Sequence, residues 1–250
     1  MHHVHMSDLV AAVPPHEPSE DALAFAGKAA LSAFPVFGPM AAEALGHALD
    51  TRQSQRQHDF NLQIAYALTG ALERLDASLT IEDIVNNDEF VAAVTRAQRV
   101  ASETASAKKR ERLATAAVNG GGWAPFSASE REQFTRLVEE FDDLHVFLLH
   151  FYMDPKGWLD AHDMQDAYAS IYMASAGAPL SAVLGASEQE WSAPVTQAAS
   201  DLSRNGLADI PLKTIMSADG VIAARTSEKG HRLLAFLNEP TSASAEPPTL

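Results

Sequence analysis

The chain has 250 residues, of which 46% are hydrophobic and 20% are charged. These proportions exclude a wholly disordered chain, a collagen-like chain and a membrane protein with many spans. No cysteine is present, which also excludes disulfide frameworks, thiolate metal sites and cysteine nucleophiles. The net charge of −15 repels the phosphates of nucleic acids unless a local face overcomes it.

The two ends of the chain have the composition of unstructured segments. Residues 1–18 combine histidines with prolines, and residues 239–250 are rich in proline, serine and alanine, so we expect both to be disordered. The start lacks a basic segment followed by an apolar one, as a signal peptide would have, and this favours a cytoplasmic location. Between the ends we predict a helical domain at 19–122 and a second domain at 127–238.

The first domain is predicted to contain one long helix. Apolar side chains recur at helical spacing along Met40–Leu75, and no proline interrupts this run. Its middle, Asp50–Asp59, is polar on every face, so the helix either projects past the core or kinks there. An apolar stripe at both ends of a polar centre predicts a homo-oligomer or a complex with a protein partner.

A basic helix is predicted at Asp88–Val118, where Asn119 and three glycines supply the stop signal. Its arginines and lysines are typical of a solvated face that pairs with acidic helices. A site for an anionic partner is the alternative interpretation.

An uncharged apolar stretch at Ala29–Ala42 includes Pro35 and Pro39, which predict a turn between two helices. It is shorter than the roughly 20 apolar residues that a spanning helix needs, so stable transmembrane insertion is not expected. Two interpretations stay open: a buried helix and turn in a soluble bundle, or an element that contacts a membrane or a partner. The side chains that would make this contact are Phe25, Phe34, Val36, Phe37 and Met40.

The second domain is also predicted to be mostly helical. Ser127 with Glu130 has the spacing of a capping box at the start of a helix. Leu144–Met153 is almost wholly apolar and predicts a buried helix, and Asp160–Ala174 predicts a further one. Trp191–Asn205 has the periodicity of an amphipathic helix.

After this helix, the spacing of the apolar residues changes from that of a helix to that of strands. Two short strands are predicted around Asp219-Gly220, because this dipeptide supplies the positive φ angles of a tight hairpin. A closing helix with Thr226 at its N-cap follows. The pieces LSRNGLADI, SADGVIAARTSEKG and HRLLAFLN resemble the recognition-helix end, the wing and the closing helix of the winged helix-turn-helix superfamily. The resemblance spans Glu139–Asn238.

The expected fold class is therefore mostly α, with an N-terminal helical bundle that contains a long helix. The resemblance adds a C-terminal winged-helix domain with a small two-stranded β-hairpin. In the N-terminal half, FPVFGPM, TRQSQRQ and NNDEF resemble segments of uncharacterised helical bacterial proteins of abortive-infection type. That second resemblance implies no functional residue.

A winged helix can place its third helix in the major groove of DNA, where base readout needs arginine, lysine, asparagine or glutamine. Asp201 and Asp209 oppose this reading electrostatically, so protein contact is favoured over DNA binding. The candidate base readers are Gln197, Arg204 and Asn205, and the candidate phosphate contacts are Lys213, Arg225, Lys229 and Arg232.

The best ligand-like cluster consists of Asp160, His162, Asp163 and Asp166, since carboxylate oxygens and an imidazole can bind a divalent metal. No second cluster completes a site, and an exposed acidic helix face is the interpretation we favour. The phosphate-binding and hydrolase motifs GxxxxGK[ST], GxGxxG, GxSxG and HExxH do not occur. We therefore expect no metal, no cofactor and no enzymatic activity.

Taken together, these patterns favour a non-enzymatic interaction or regulatory protein. Two alternatives follow from the same residues. One is a defence-type effector that perturbs membranes with its apolar N-terminal hairpin, and the other is a DNA-binding transcriptional regulator.

Overall fold

The computed structural model describes residues 51–74, 83–84, 86–237 and 247–248. This part of the chain is mostly helical and contains one small two-stranded antiparallel sheet, which confirms the predicted α class. The chain divides into two compact units, with the boundary between Glu139 and Glu140. The sequence-based boundary falls earlier, before residue 127. The two predicted terminal segments lie outside the described residues, apart from 247–248.

Helices α1 (Thr51–Arg74), α2 (Asp88–Glu103) and α3 (Ala107–Asn119) pack together in the first unit. The apolar stripe of α1 buries Phe60 and Ile64. A helix is thus confirmed over the described part of the long run predicted from Met40, whose first residues lie outside the described range.

The prediction of one continuous helix at Asp88–Val118 is wrong, because the segment between α2 and α3 supplies caps for both. Thr104 ends α2, and the Ser106 side chain accepts a hydrogen bond from Lys109 N at the start of α3. The buried Arg110 donates from Nη1 to the carbonyl oxygens of Thr104 and Ala105, each at 3.2 Å. Serine and threonine side chains compete with helical hydrogen bonds in this way, so a short run of them can interrupt a helical pattern.

The predicted stop at Asn119 is confirmed, and Gly120 follows as the C-cap of α3. A Cβ at Gly120 would lie 2.9 Å from the Ala93 Cβ, so glycine permits the close approach of α2 and α3. Helix α4 (Ala128–Glu140) then begins with the predicted capping pair, in which Ser127 N donates to Glu130 Oε2 at 2.9 Å.

The second unit is built around helix α5 (Asp143–Phe151), which is almost wholly buried as predicted. Asp142 caps α5 through its side chain, and α6 (Pro155–Ala161) follows with proline in its first turn. Trp158 of α6 is fully buried and meets Phe147 and Phe151 edge-on, with ring centroids 5.8 and 5.5 Å away.

The prediction of a single helix at Asp160–Ala174 is also wrong. Helix α6 ends at Ala161, and Asp163 adopts a positive φ of 56°, which a continuing helix does not allow. The chain then forms the short helix α7 (Asp166–Ala169), which buries no side chain, and strand β1 (Met173–Ala174). Without a buried stripe, this segment lacks the packing that would hold a longer helix together.

Helices α8 (Leu180–Leu184) and α9 (Glu188–Arg204) follow. The predicted amphipathic helix is confirmed by α9, which buries Trp191, Val195 and Leu202 among others. Strand β2 (Met216–Ser217) pairs with β1 in the register Met173 with Ser217 and Ala174 with Met216.

The hairpin predicted around Asp219-Gly220 is wrong. Both residues lie in the short helix α10 (Ala218–Val221), and β2 pairs with β1, not with a strand after the turn. A Cβ at Gly220 would lie 3.0 Å from the Met216 side chain, so glycine here accommodates packing and not a positive φ. An isolated antiparallel bridge does join Ala208 to Thr226.

The closing helix α11 (Glu228–Phe236) is confirmed, but its N-cap is Ser227 and not Thr226. The buried Thr226 hydroxyl instead donates to the carbonyl oxygen of Leu149 at 2.7 Å, which joins the start of α11 to α5. No helix in the described ranges is both long and apolar enough to cross a membrane.

Candidate functional site

The carboxylate of Asp201 on α9 is the centre of a polar cluster. Gln197 Nε2 donates to its two oxygens at 3.0 and 3.2 Å, and Arg204 Nη2 donates to Oδ1. The Asn205 side chain donates to the Asp201 carbonyl oxygen at 2.9 Å. Residues three and four apart share a helical face. The structure therefore brings the three candidate base readers together, and each of them binds Asp201.

The four candidate phosphate contacts are spread over the end of the second unit. Lys229 Nζ donates to the Asn205 carbonyl oxygen at 2.8 Å, and Arg225 Nη2 donates to the Gly220 carbonyl oxygen at 2.7 Å. Lys213 is exposed between the Ala208 bridge and β2, and Arg232 is half-buried on α11. Lys229 and Arg225 thus satisfy backbone acceptors of the fold itself.

The solvent face at the start of α9 carries negative charge. Glu188 and Glu190 are exposed there, and Arg204 is the one basic residue of this helix. Ser187 and Glu190 form a capping box in which the serine backbone and hydroxyl both donate to the glutamate, at 2.8 and 2.7 Å. These hydrogen bonds lower the pKa of the Glu190 carboxyl, so it stays ionised at the start of α9.

The imidazole of His145 on α5 lies between two carboxylates. Its Nδ1 is 2.6 Å from Asp142 Oδ1, and its Nε2 is 3.4 Å from Asp201 Oδ2. Phe141 stacks on the ring with a centroid separation of 4.6 Å. The hydrogen bond to His145 lowers the pKa of the Asp142 carboxyl to about 2. From the sequence, His145 is expected to be buried with a hydrogen-bond partner, but the sequence does not identify Asp201, which is distant in the chain, as that partner.

The acidic cluster predicted from the sequence is not assembled into a ligand site. Asp160 binds Lys156 Nζ at 2.7 Å and the Tyr168 hydroxyl at 2.6 Å, and these hydrogen bonds lower the pKa of its carboxyl. His162 stacks on Trp158 at 3.8 Å between centroids and places Nδ1 2.8 Å from the Trp158 carbonyl oxygen. Within the described ranges, no three histidine, aspartate or glutamate side chains are placed to hold a metal ion.

Large apolar side chains are exposed at both ends of the small sheet, because β1 and β2 are antiparallel and begin at opposite ends. Tyr172 is 86% exposed, Met173 60% and Ile215 62%, and we call these three residues the sheet patch. Tyr172 directly precedes β1, and Ile215 directly precedes β2. Sequence reasoning missed the patch because it assigned Tyr172 and Met173 to a helix. The β-branched Ile171 followed by the aromatic Tyr172 is the signal that favours a strand.

The five residues predicted to contact a membrane or a partner lie outside the described ranges; they are Phe25, Phe34, Val36, Phe37 and Met40. Comparison with protein families, curated proteins and solved structures gives no match to this chain.

Proposed function

We propose that the protein is a non-enzymatic binding protein whose C-terminal unit is a winged-helix domain, and that this unit contacts another protein through the sheet patch. The order of elements supports the domain assignment. Helices α5, α8 and α9 are followed by the Ala208–Thr226 bridge and by the closing helix α11. This order supports the assignment, although α6, α7 and β1 lie between α5 and α8, and α10 occupies the position expected for the turn of the wing.

The exposure of the sheet patch carries the proposal. Among the described residues, the exposed large hydrophobic side chains are Tyr66, Tyr172, Met173 and Ile215, so most of them are concentrated at the small sheet. Exposed apolar groups that occur together mark interaction sites, and aromatic residues are enriched among those that dominate binding energy. Burying them gains about 25 cal/mol per Å² of apolar area removed from water.

The net charge favours a different protein, and not a second copy of this chain, as the partner. The segment from Glu140 onwards contains more acidic than basic residues, and the whole chain carries −15. Two copies of a chain with this net charge repel each other, whereas a protein of net positive charge complements it. The proposed partner is therefore a protein with an apolar contact region and a net positive charge.

The same charges disfavour DNA as the main ligand. Gln197 and Arg204 share the Asp201 carboxylate, so using them to read bases would break these hydrogen bonds and leave a carboxylate beside the phosphates. Glu188 and Glu190 add further negative charge at the start of α9. Affinity for DNA depends mainly on cations that neutralise phosphates.

A site-specific photo-crosslinker tests the proposal in living cells. Replacing Tyr172 with p-benzoylphenylalanine should give an adduct with another protein on irradiation. The same replacement of Tyr66, which is 65% exposed but belongs to the first unit, is the matched control and should not give that adduct. An adduct with nucleic acid, an adduct between two copies of the chain, or no adduct above the control would each overturn the proposal.

Two further measurements separate the proposal from its alternatives. The variant M173D/I215D, made in the crosslinking chain, should lose the adduct while its circular dichroism spectrum stays unchanged. Purified protein should not shift random duplex DNA at low salt, and a shift that weakens as salt rises would support a transcriptional regulator instead. Leakage of liposomes that depends on residues before Thr51 would support the membrane effector instead.

A further inference from the structure

Two carboxylates from different elements flank the His145 ring. Asp142 is the N-cap of α5, whereas Asp201 belongs to α9. The histidine side chain is only 12% exposed, and Phe141 lies flat against it with an interplanar angle of 6°. The ring therefore has little freedom to turn away from either carboxylate.

The protonation state of the ring decides which of these contacts can be hydrogen bonds. A neutral imidazole has one N–H, whereas an imidazolium has two. If Nδ1 is unprotonated, it accepts the Asp142 backbone N–H at 3.3 Å but turns its lone pair towards Asp142 Oδ1, 2.6 Å away. If Nε2 is unprotonated, its lone pair faces Asp201 Oδ2. Only the imidazolium can donate to both carboxylates.

From this geometry we propose that His145 is a proton-operated latch between α5 and α9: protonation fastens α9 through Asp201, and deprotonation releases it. Histidine is the side-chain type whose charge ordinarily changes between pH 5 and 8, so this is the range over which the latch is tested. The inference concerns the mobility of α9 and is independent of which partner the sheet patch binds.

The other charged groups around the ring support this arrangement. On α9, Arg204 Nη2 donates to Oδ1 of the Asp201 carboxylate, whose Oδ2 faces Nε2 of His145. Helix α11 also packs on α5, and its titratable and charged side chains are Glu228, Lys229, His231 and Arg232. The ring of His145 contacts Asp142, Asp201 and Phe141.

Hydrogen–deuterium exchange of the full-length protein tests the latch directly. Protection factors, which correct for the intrinsic pH dependence of exchange, would be measured for the α9 amides at pH 5.5 and pH 8.0. A charge-assisted hydrogen bond is strong enough that we expect about tenfold greater protection at pH 5.5 in the unmodified protein. In H145Q the two values should agree within about twofold.

The control variant H231Q removes a histidine of α11 that does not lie between the two carboxylates, and it should respond to pH like the unmodified protein. Equal pH responses of H145Q and the unmodified protein would overturn the proposal. So would an H231Q variant that loses the response.

A second pair of variants covers the case in which H145Q does not fold. D201N removes the acceptor charge on α9 and should abolish the response to pH, whereas D209N changes an exposed aspartate and should preserve it. In nitrogen-15 NMR spectra at pH 5.5, both ring nitrogens of His145 should carry protons. A single protonated ring nitrogen at that pH would overturn the latch.

Discussion

The backbone of Gly230 lies directly against the carbonyl oxygen of Leu207, so that a Cβ at position 230 would overlap this oxygen and the methyl group of Thr226. The contact joins the first turn of α11 to the chain just before the Ala208–Thr226 bridge. The φ of Gly230 is not positive, so the close packing, and not the backbone conformation, requires glycine at this position.

We expect G230A to lower the free energy of unfolding of the second unit by about 1–3 kcal/mol, because an added methyl group in a packed site forces the backbone apart. Chemical unfolding followed by the fluorescence of Trp158 and Trp191 would measure the loss. A235S changes an exposed residue of the same helix and should stay within about 0.5 kcal/mol of the unmodified protein. A stable G230A variant would show that α11 is free to shift.

The hydroxyl of Thr226 is the second link between α11 and the core. It is buried and donates to Leu149 O at 2.7 Å, so T226V should destabilise the unit by about 1–3 kcal/mol as the carbonyl loses its donor. Thr214 is exposed, and T214V is therefore the matched control. Equal unfolding midpoints for the two variants would contradict the role assigned to this hydrogen bond.

The pH dependence of stability should reveal the cap on α5. The pKa of Asp142 is lowered from 3.8 to about 2, so the folded state favours the ionised carboxylate. This contribution is present above pH 3.8 and is lost as the pH falls from 3.8 towards 2.

D142N should therefore be less stable than the unmodified protein at pH 7, and the difference should shrink below pH 4. Urea unfolding at pH 2.5, 4 and 7 would measure it. The exposed Asp209 offers the control, because D209N should show no such convergence. A difference in unfolding free energy between D142N and the unmodified protein that stays constant with pH would contradict the role of Asp142 as the cap of α5.

Local sequence patterns were sufficient where short-range hydrogen bonds or continuous apolar stripes define an element. The capping pair of Ser127 and Glu130, the buried helix α5 and the amphipathic helix α9 are of this kind, because all of their determinants lie within one or two helical turns.

The errors occurred where a local preference competed with tertiary packing. Asp219-Gly220 has the composition of a hairpin turn, yet β2 pairs with the distant β1, and the dipeptide becomes part of α10. The break at Thr104 was also missed. Both α2 and α3 bury apolar residues, so the helical periodicity continues from Ala101 to Leu113 even though the capping side chains separate the two helices.

In the candidate site, too, the sequence predicted local features but not contacts between distant residues. The sequence alone supplied the carboxylates of α9, its one cation Arg204 and their helical spacing. It could not show that Asp201 would bind several of these groups at once.

By itself the sequence determined the helical class, most helix positions and the acidic character of the chain, because composition and periodicity act over a few residues. Only the tertiary structure decided the pairing of β1 with β2, the exposure of Tyr172 and the position of His145 beside Asp201. These features depend on contacts between residues far apart in the chain, which are fixed when the packed core selects one arrangement among many locally acceptable ones.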